Sequence, residues 1–478
     1  MKNSRVFYYF EKICGIPHIS HNTKELSDFL IQFAKDMKLE YYSDGAGNVL
    51  ISKQASEGYE EHEGVILQGH IDMVGAKASG SEHDFLTDPI EIVFDKPKKG
   101  YISAAGTTLG ADNGIAVAYM LAILENDSLK HPPIEALFTV DEEVGLLGAK
   151  AFDASRLKGK YLINLDSEEE GYFLTACAGG VRVDLCLDNE ETDFKGLKIS
   201  LCIDGLNGGH SGSDIHLGRA SANILMGRLL AKLDETVDYY ISNLHGGDVD
   251  NAICPKCTAE IVIDPSDYDN VVLACEKENK EYLLEYRNID SNIYISVARM
   301  SEGTFGVAND FTREKILCML RLLPYGVTAR EADNPELVIT SLNPGVLRYS
   351  SGHFRLGYAV RSSISGAKKD IVDKIEFLTE YLGGYCEESG DYPAWEYKQE
   401  SKLREVIESV YSDMFNTRPK FTSIHAGLEC GLFFEGNPNL DIISYGPDMY
   451  DVHTCNENLC LDSAKRVYDF TIKLLENL

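Results

Sequence analysis

GVILQGHIDMV, residues 64–74, is a short apolar run that stops at His70 and Asp72. Three further segments repeat the pattern. IEALFTV (134–140) runs into Asp141, Glu142 and Glu143, KYLINL (160–165) runs into Asp166, and LDIISY (440–445) precedes the loop that carries His453. LGADNG (109–114) adds Asp112 at the head of a helical stretch, NGIAVAYMLAILEN. Short apolar runs of this kind read as buried strands. In open α/β sheets ligands bind outside the carboxyl ends of strands, so these segments predict one crevice fed by several strand ends.

Outward from these segments, the chain divides in character. Residues 1–50 predict two amphipathic helices, RVFYYFEKIC and TKELSDFLIQFAKDM, and then a strand, EYYSDGAGNVLISK. From 64 to 183 strands alternate with helices, which favours a mixed, mostly parallel sheet flanked by helices, an α/β architecture. Near 184 the pattern changes to alternating strands such as KGLKISLCIDG, TAEIVID and FRLGYAVRSSIS, bracketing helices such as RASANILMGRLLAKLDE. That reads as an inserted α+β domain. The expected organisation is a first domain in two parts, 1–183 and 393–478, split by an inserted second domain over 184–392.

At 478 residues the chain is long enough for two cores. The net charge of −31 argues against nucleic acid or an anionic membrane surface as partner, since both need a cationic footprint. No apolar run reaches transmembrane length, and the N-terminus has no signal-peptide pattern. The 12 cysteines follow no disulfide framework, as expected of reduced thiols in a cytoplasmic protein.

Carboxylate oxygens and imidazole nitrogens suit zinc, cobalt or manganese. Each residue has a bland reading of its own: GHID as an ordinary strand end, Asp112 as a helix N-cap, Asp166 as part of a solvated acidic turn. Taken together, a carboxylate-rich, histidine-poor set suits a two-metal hydrolytic centre with a bridging carboxylate. Glu142 and Glu143 are adjacent and their side chains diverge, so one can bind metal while the other shuttles protons. Asp72, two residues from His70, can orient that ring.

GHIDMV, HDFLTDPI, GTTLGADNGIA, INLDSEEEG, ACAGG, GGHSGSDIH, IHAGLECGLF and the C-terminal His453 resemble the bacterial aminoacyl-histidine dipeptidases. These lie within the dinuclear zinc peptidases that include carnosinases, aminoacylases and carboxypeptidase G. The resemblance runs essentially from end to end. It implies that Asp112 bridges two metals, most simply Zn2+ with Co2+ or Mn2+ as alternatives. His70 and Asp166 would complete one ion, and Glu143 and His453 the other. Glu142 would be the general base for a metal-bridging water, Asp72 would support His70, and the Asp112–Asn113 peptide would be cis. His210 would stabilise the oxyanion from the lid. Asn251 and Arg361 would grip the substrate's terminal carboxylate, and Glu429 its amino group.

Two motifs pull elsewhere. Cys254 and Cys257 form a CPKC that could suggest redox or zinc chemistry, but no second pair completes a four-cysteine site, and a non-functional reading is the simpler one. His425 and Glu429 are four apart on an expected helix, as a metal pair would be, but the other residues already fill two sites. The expectation is therefore a cytoplasmic dinuclear-metal dipeptidase acting on small unblocked peptides, with a homodimer left open. An N-acyl amino-acid deacylase and a non-catalytic peptide binder are the alternatives. Intact Glu142 weighs against the binder, which needs no general base.

Overall fold

A computed structural model describes residues 4–332 and 334–478. The chain forms two compact units, one built from 1–177, 395–423 and 428–478, the other from 178–394 and 424–427.

In the first unit an eight-stranded sheet runs in the order Glu40–Ser43, Val49–Lys53, Ile134–Thr139, Val65–His70, Tyr161–Asn164, Asp441–Ser444, Tyr172–Cys177, Lys420–Ile424. The central four strands are parallel. Strand pairs toward the margins are antiparallel, including Val49–Lys53 against Ile134–Thr139 and the contact of Ser444 with Leu174. The sheet is thus mixed, with its parallel part confined to the centre. Every residue of those four strands is buried, as parallel strands covered on both faces must be.

Register decides where the strand ends emerge. Gln68 lies opposite Leu137 and Asn164, His70 opposite Thr139, and Ser444 opposite Asn164. The segments that follow these residues therefore leave the sheet along one edge. The helix Ala111–Glu125 is buried at every position except its last, and Tyr119 on it donates to the Ala464 carbonyl at 2.7 Å. A helix apolar on all sides belongs inside a core.

The expected single strand over EYYSDGAGNVLISK is a hairpin instead. The Asp44 carboxylate accepts the backbone N–H groups of Ala46, Gly47 and Asn48 at 3.0 Å each, and Gly47 has φ +104°. That side chain substitutes for turn backbone, and the glycine takes the left-handed conformation the turn requires.

The second unit holds a nine-stranded antiparallel sheet. Tyr294–Ala308 lies at one edge and Tyr385–Tyr392 at the other, and Gly326–Arg330 pairs with Val338–Ser350 off the main path. Ala222–Leu233, Tyr268–Glu285, Asp310–Leu322 and Ser365–Tyr381 are its main helices. Its core contains Cys254 and Cys257. Burial pushes the Cys254 thiol up to about 11, and its Sγ donates to the Lys256 carbonyl at 3.1 Å. Among the described residues no helix is long and apolar enough to cross a membrane.

Gly148 sits under the strand end that leads into Glu142. Its N–H donates to Val140 O at 2.9 Å, and an added Cβ would overlap that oxygen and lie 2.6 Å from the Val140 nitrogen. Gly148→Ala should therefore lose about 1–3 kcal/mol through overpacking. Gly366, in the helix Ser365–Tyr381, has nothing within 4 Å of its would-be Cβ. Gly366→Ala should be neutral or gain up to about 1 kcal/mol. Urea midpoints of the two variants check the contrast, and equal midpoints would refute it.

Candidate metal centre

Asp112 is the hub of the first unit's acidic cluster. Its Oδ1 faces His70 Nε2 at 3.2 Å, and its Oδ2 faces His453 Nε2 at 3.1 Å. His70 Nε2 also lies 3.4 Å from Asp166 Oδ1, and His453 Nε2 lies 3.0 Å from Glu143 Oε1. Two ligand groups result, His70–Asp112–Asp166 and Asp112–Glu143–His453, each with ligand atoms within 4.8 Å of one another. A third grouping joins His70 with Glu142 and Glu143. Asp112 projects from the start of its helix, where φ −82° and ψ 103° depart from helical values, and the Asp112–Asn113 peptide is cis.

The second nitrogen of His70 fixes its tautomer. Nδ1 lies 3.0 Å from the Asp72 main-chain carbonyl, which can only accept, so Nδ1 carries a proton. Asp72 thus orients the ring mainly through its backbone. Its carboxylate accepts the N–H of Glu142 at 2.9 Å and of Glu143 at 3.3 Å, and the hydroxyl of Ser20 at 2.8 Å. A neutral His70 of this tautomer turns a lone pair toward two carboxylates. Such an arrangement needs either a second ring proton or a cation among the three groups. The donor set of imidazole nitrogen and carboxylate oxygen fits a divalent ion.

Proton affinities in the cluster reflect the crowding. Burial pushes Asp166 up to about 6, helped by Asp112 and Glu143 and opposed by His70. Burial also pushes Glu142 well above the usual carboxylate range; His70 opposes it, and Asp166, Glu429 and Glu143 add to it. Burial works on Asp112 in the same direction, but hydrogen bonds from His453 and His70 hold it below its ordinary value. His453 rises to about 11 through its bonds to Asp112 and Glu143.

Glu429, expected at a substrate amine, is 0% exposed. It accepts from Gln68 Nε2 at 2.5 Å and from Thr139 Oγ1 at 2.8 Å, while Asn164 Nδ2 donates to Gln68 Oε1 at 2.6 Å. This buried polar layer spans three of the parallel strands just before the ends that lead to the acidic cluster. The helix Glu429–Gly436 begins at Glu429, so His425 does not share it, and the two residues belong to different units. The expected single helix over IHAGLECGLF ends the other way: its first half is strand end and bend.

His210, Asn251 and Arg361 belong to the second unit. His210 Nδ1 accepts from the backbone N–H of Ser213 at 3.1 Å, which leaves Nε2 as the ring's N–H donor. Burial and Arg361 lower its pKa, keeping the ring neutral. Arg361 donates to the Tyr392 hydroxyl at 2.7 Å, and its buried Nε has no hydrogen-bond partner. Asn251 is exposed and its carbonyl accepts the Ser211 N–H at 2.8 Å.

Glu457 is the residue that sequence reasoning missed. It is 2% exposed and accepts four consecutive backbone N–H groups, from Leu109 to Asp112. The one available signal was an acid four residues after His453.

The family model described as peptidase family M20/M25/M40 matches residues 66–477. The cytosol non-specific dipeptidase of Escherichia coli (strain K12) is 34% identical over 474 residues, covering 98% of this chain and 96% of its own. Among solved structures, the aminoacylhistidine dipeptidase of Vibrio alginolyticus superposes with a TM-score of 0.91 at 34% identity, covering 100% of this chain and 97% of that one. Aminopeptidase PepT of Bacillus cereus, 17% identical with a TM-score of 0.56, shares the fold, covering 99% of this chain and 98% of its own.

Since one carboxylate faces both imidazoles, Asp112→Ala should lose both ions, and His70→Ala or His453→Ala mainly one. Metal analysis after gel filtration measures this; full occupancy in the Asp112 variant would refute the bridging geometry.

Proposed function

The chain belongs to peptidase family M20/M25/M40, and we propose that it is a cytoplasmic dinuclear-metal dipeptidase that hydrolyses unblocked dipeptides, Xaa-His among them. The observation that carries this reading is the Asp112 carboxylate, one oxygen turned to His70 and the other to His453. The cytosolic location in the name of the Escherichia coli relative supports the compartment.

His70 and Asp166 would hold one ion, Glu143 and His453 the other, and Asp112 both. Two divalent ions there would polarise a scissile carbonyl and lower the pKa of water toward neutrality. Glu142, adjacent to ligand Glu143 but absent from both Asp112 groups, is the proton carrier. Its carboxylate takes a proton from the attacking water and delivers it to the leaving amine. Burial, which raises its proton affinity, suits it to both halves of that transfer. Asp72 holds the His70 ring and the Glu142 backbone together, so the base and the ligand keep a fixed relation.

The second unit contributes recognition. His210, its Nδ1 engaged by the Ser213 N–H and its Nε2 carrying the ring proton, would donate to the oxyanion that develops in the transition state. Arg361, with a buried Nε lacking a partner, and Asn251 take the C-terminal carboxylate. A charged clamp left unpaired in a closed site costs more than the contact contributes, so specificity follows from the free terminus. The sealed position of Glu429 gives the α-ammonium no carboxylate there.

Glu142→Ala should retain its metals and lose about 10²–10⁴-fold in turnover, as removal of a general base does. Glu143→Ala should lose metal. Reversed behaviour would exchange the two roles.

Metal-stripped protein, reconstituted and assayed on a panel, separates dipeptidase from deacylase. Free dipeptides should be cleaved, and C-terminally amidated dipeptides and acetylated amino acids should be poor. Preference for an acetylated amino acid over every dipeptide would overturn the reading.

A further inference from the structure

We propose that Glu457 is the positioning residue of the metal centre: its carboxylate holds the backbone from which Asp112 projects and ties it to the loop of His453. The inference rests on the reading of Asp112 and His453 as metal ligands.

The contact is complete on both oxygens. Oε2 accepts Leu109 N–H at 2.7 Å and Gly110 N–H at 3.0 Å, and Oε1 accepts Ala111 N–H at 2.8 Å and Asp112 N–H at 3.2 Å. The first N–H groups of a helix have no intrahelical partners, and a side chain at the N-cap usually meets some of them. Here the N-cap is Gly110, with φ +70° and no side chain to offer. Asp112 cannot serve either, because its two oxygens face the imidazoles. The segment needs an external acceptor, and Glu457 is that group.

The same segment is closed in from its other side. A Cβ on Gly110 would lie 2.8 Å from Met73 Sδ and 3.3 Å from His18 Nε2. With Met73 and His18 behind it and Glu457 in front, the backbone entering Asp112 has one available path.

At its own end Glu457 closes a short loop. Its N–H donates to Thr454 O at 3.1 Å, and Thr454 Oγ1 donates to Asp451 O at 2.7 Å. His453 sits inside this loop in a left-handed conformation, φ +62°. Just beyond, Asn458–Cys460 pairs with Tyr101–Ala104, and Met449–Tyr450 pairs with Asn458–Cys460. Both feet of the His453 loop are thus fixed, one of them by the residue that grips the Asp112 backbone. The spacing between Asp112 Oδ2 and His453 Nε2 is set through that single carboxylate.

A plain helix cap would predict something different from a metal-positioning residue. The cap stabilises the fold to the same degree with and without metal. The positioning residue also determines how well the ligands meet their ions.

Full-length Glu457→Gln, which keeps the shape but sets an amide NH2 against backbone N–H groups, is stripped of metal and titrated with Mn2+ by calorimetry. Its thermal unfolding is recorded with and without Mn2+. We expect Mn2+ affinity to fall about 10–100-fold, the usual cost of removing a group that orients metal ligands. Both ions should be affected, because Asp112 serves both, and the Mn2+-induced rise in Tm should shrink. Glu457→Asp, one methylene shorter with its charge intact, should recover part of the affinity. Wild-type Mn2+ affinity with an equal loss of Tm in both forms would reduce Glu457 to a cap and overturn the proposal. If Glu457→Gln does not fold, Glu457→Asp is read by the same two measurements, and wild-type affinity there overturns it equally. Failure of the unaltered protein to bind Mn2+ would instead sink the metal reading of Asp112 and His453.

Discussion

Repulsion among Asp112, Asp166, Glu142 and Glu143, gathered around two imidazoles, is the constraint to which the first unit is built. Two unit charges about 4 Å apart interact by ~4 kcal/mol at an effective dielectric constant near 20. Several such repulsions in one buried cluster exceed what a fold can absorb unless positive charge is present. The imidazoles supply some of it, and His453 is raised to about 11 in doing so. Nε2 of His70, aimed at two carboxylates by the Asp72 carbonyl, marks where a second ring proton or a metal ion is needed.

The scaffold meets this demand by stiffness around the cluster. Parallel strands in register deliver His70, the Glu142–Glu143 pair and Asp166 along one edge of the sheet. Directly behind them Gln68, Thr139, Asn164 and Glu429 form a hydrogen-bonded layer that is entirely buried. These bonds tie three strands together, while Asn164 Oδ1 and Glu429 Oε1 are buried without a hydrogen-bond partner. Above the strand ends, Asp72 secures the backbone of both glutamates, and Glu457 the backbone of Asp112. The backbones of Asp112, Glu142 and Glu143 are therefore each held by a carboxylate outside the cluster, the kind of outer support that metal ligands generally have.

The histidines of the two units show how environment assigns chemistry to one residue type. In the first unit His70 and His453 sit among carboxylates and are raised. In the second unit burial and Arg361 lower His210, and they lower His425 to about 3. His425 Nε2 pairs with the Ser341 hydroxyl at 2.7 Å. Imidazoles kept neutral beside a guanidinium are donors and acceptors rather than cations, which suits them to meeting an anion without adding to a charge cluster.

Strand-end acids and histidines were legible in the sequence because burial writes them as apolar runs that stop abruptly. His70, Asp72, Glu142, Glu143 and Asp166 could be found that way, and Asp112 by its place at a helix start. Reading EYYSDGAGNVLISK as one strand misses the hairpin at Asp44–Gly47, whose turn is closed by a side chain accepting backbone N–H groups. Sequence places Glu429 on one helix with His425 and at the substrate's amino group, and only packing reveals it as a buried partner of Gln68 and Thr139. Glu457 carried almost no signal, because its four partners lie more than three hundred residues earlier in the chain. Local sequence determined which residues could face a metal, since periodicity and turn chemistry act over a few residues. Tertiary structure alone decided which carboxylate faces both imidazoles, which holds backbone N–H groups and which lies buried, because those positions depend on distances between segments remote in sequence.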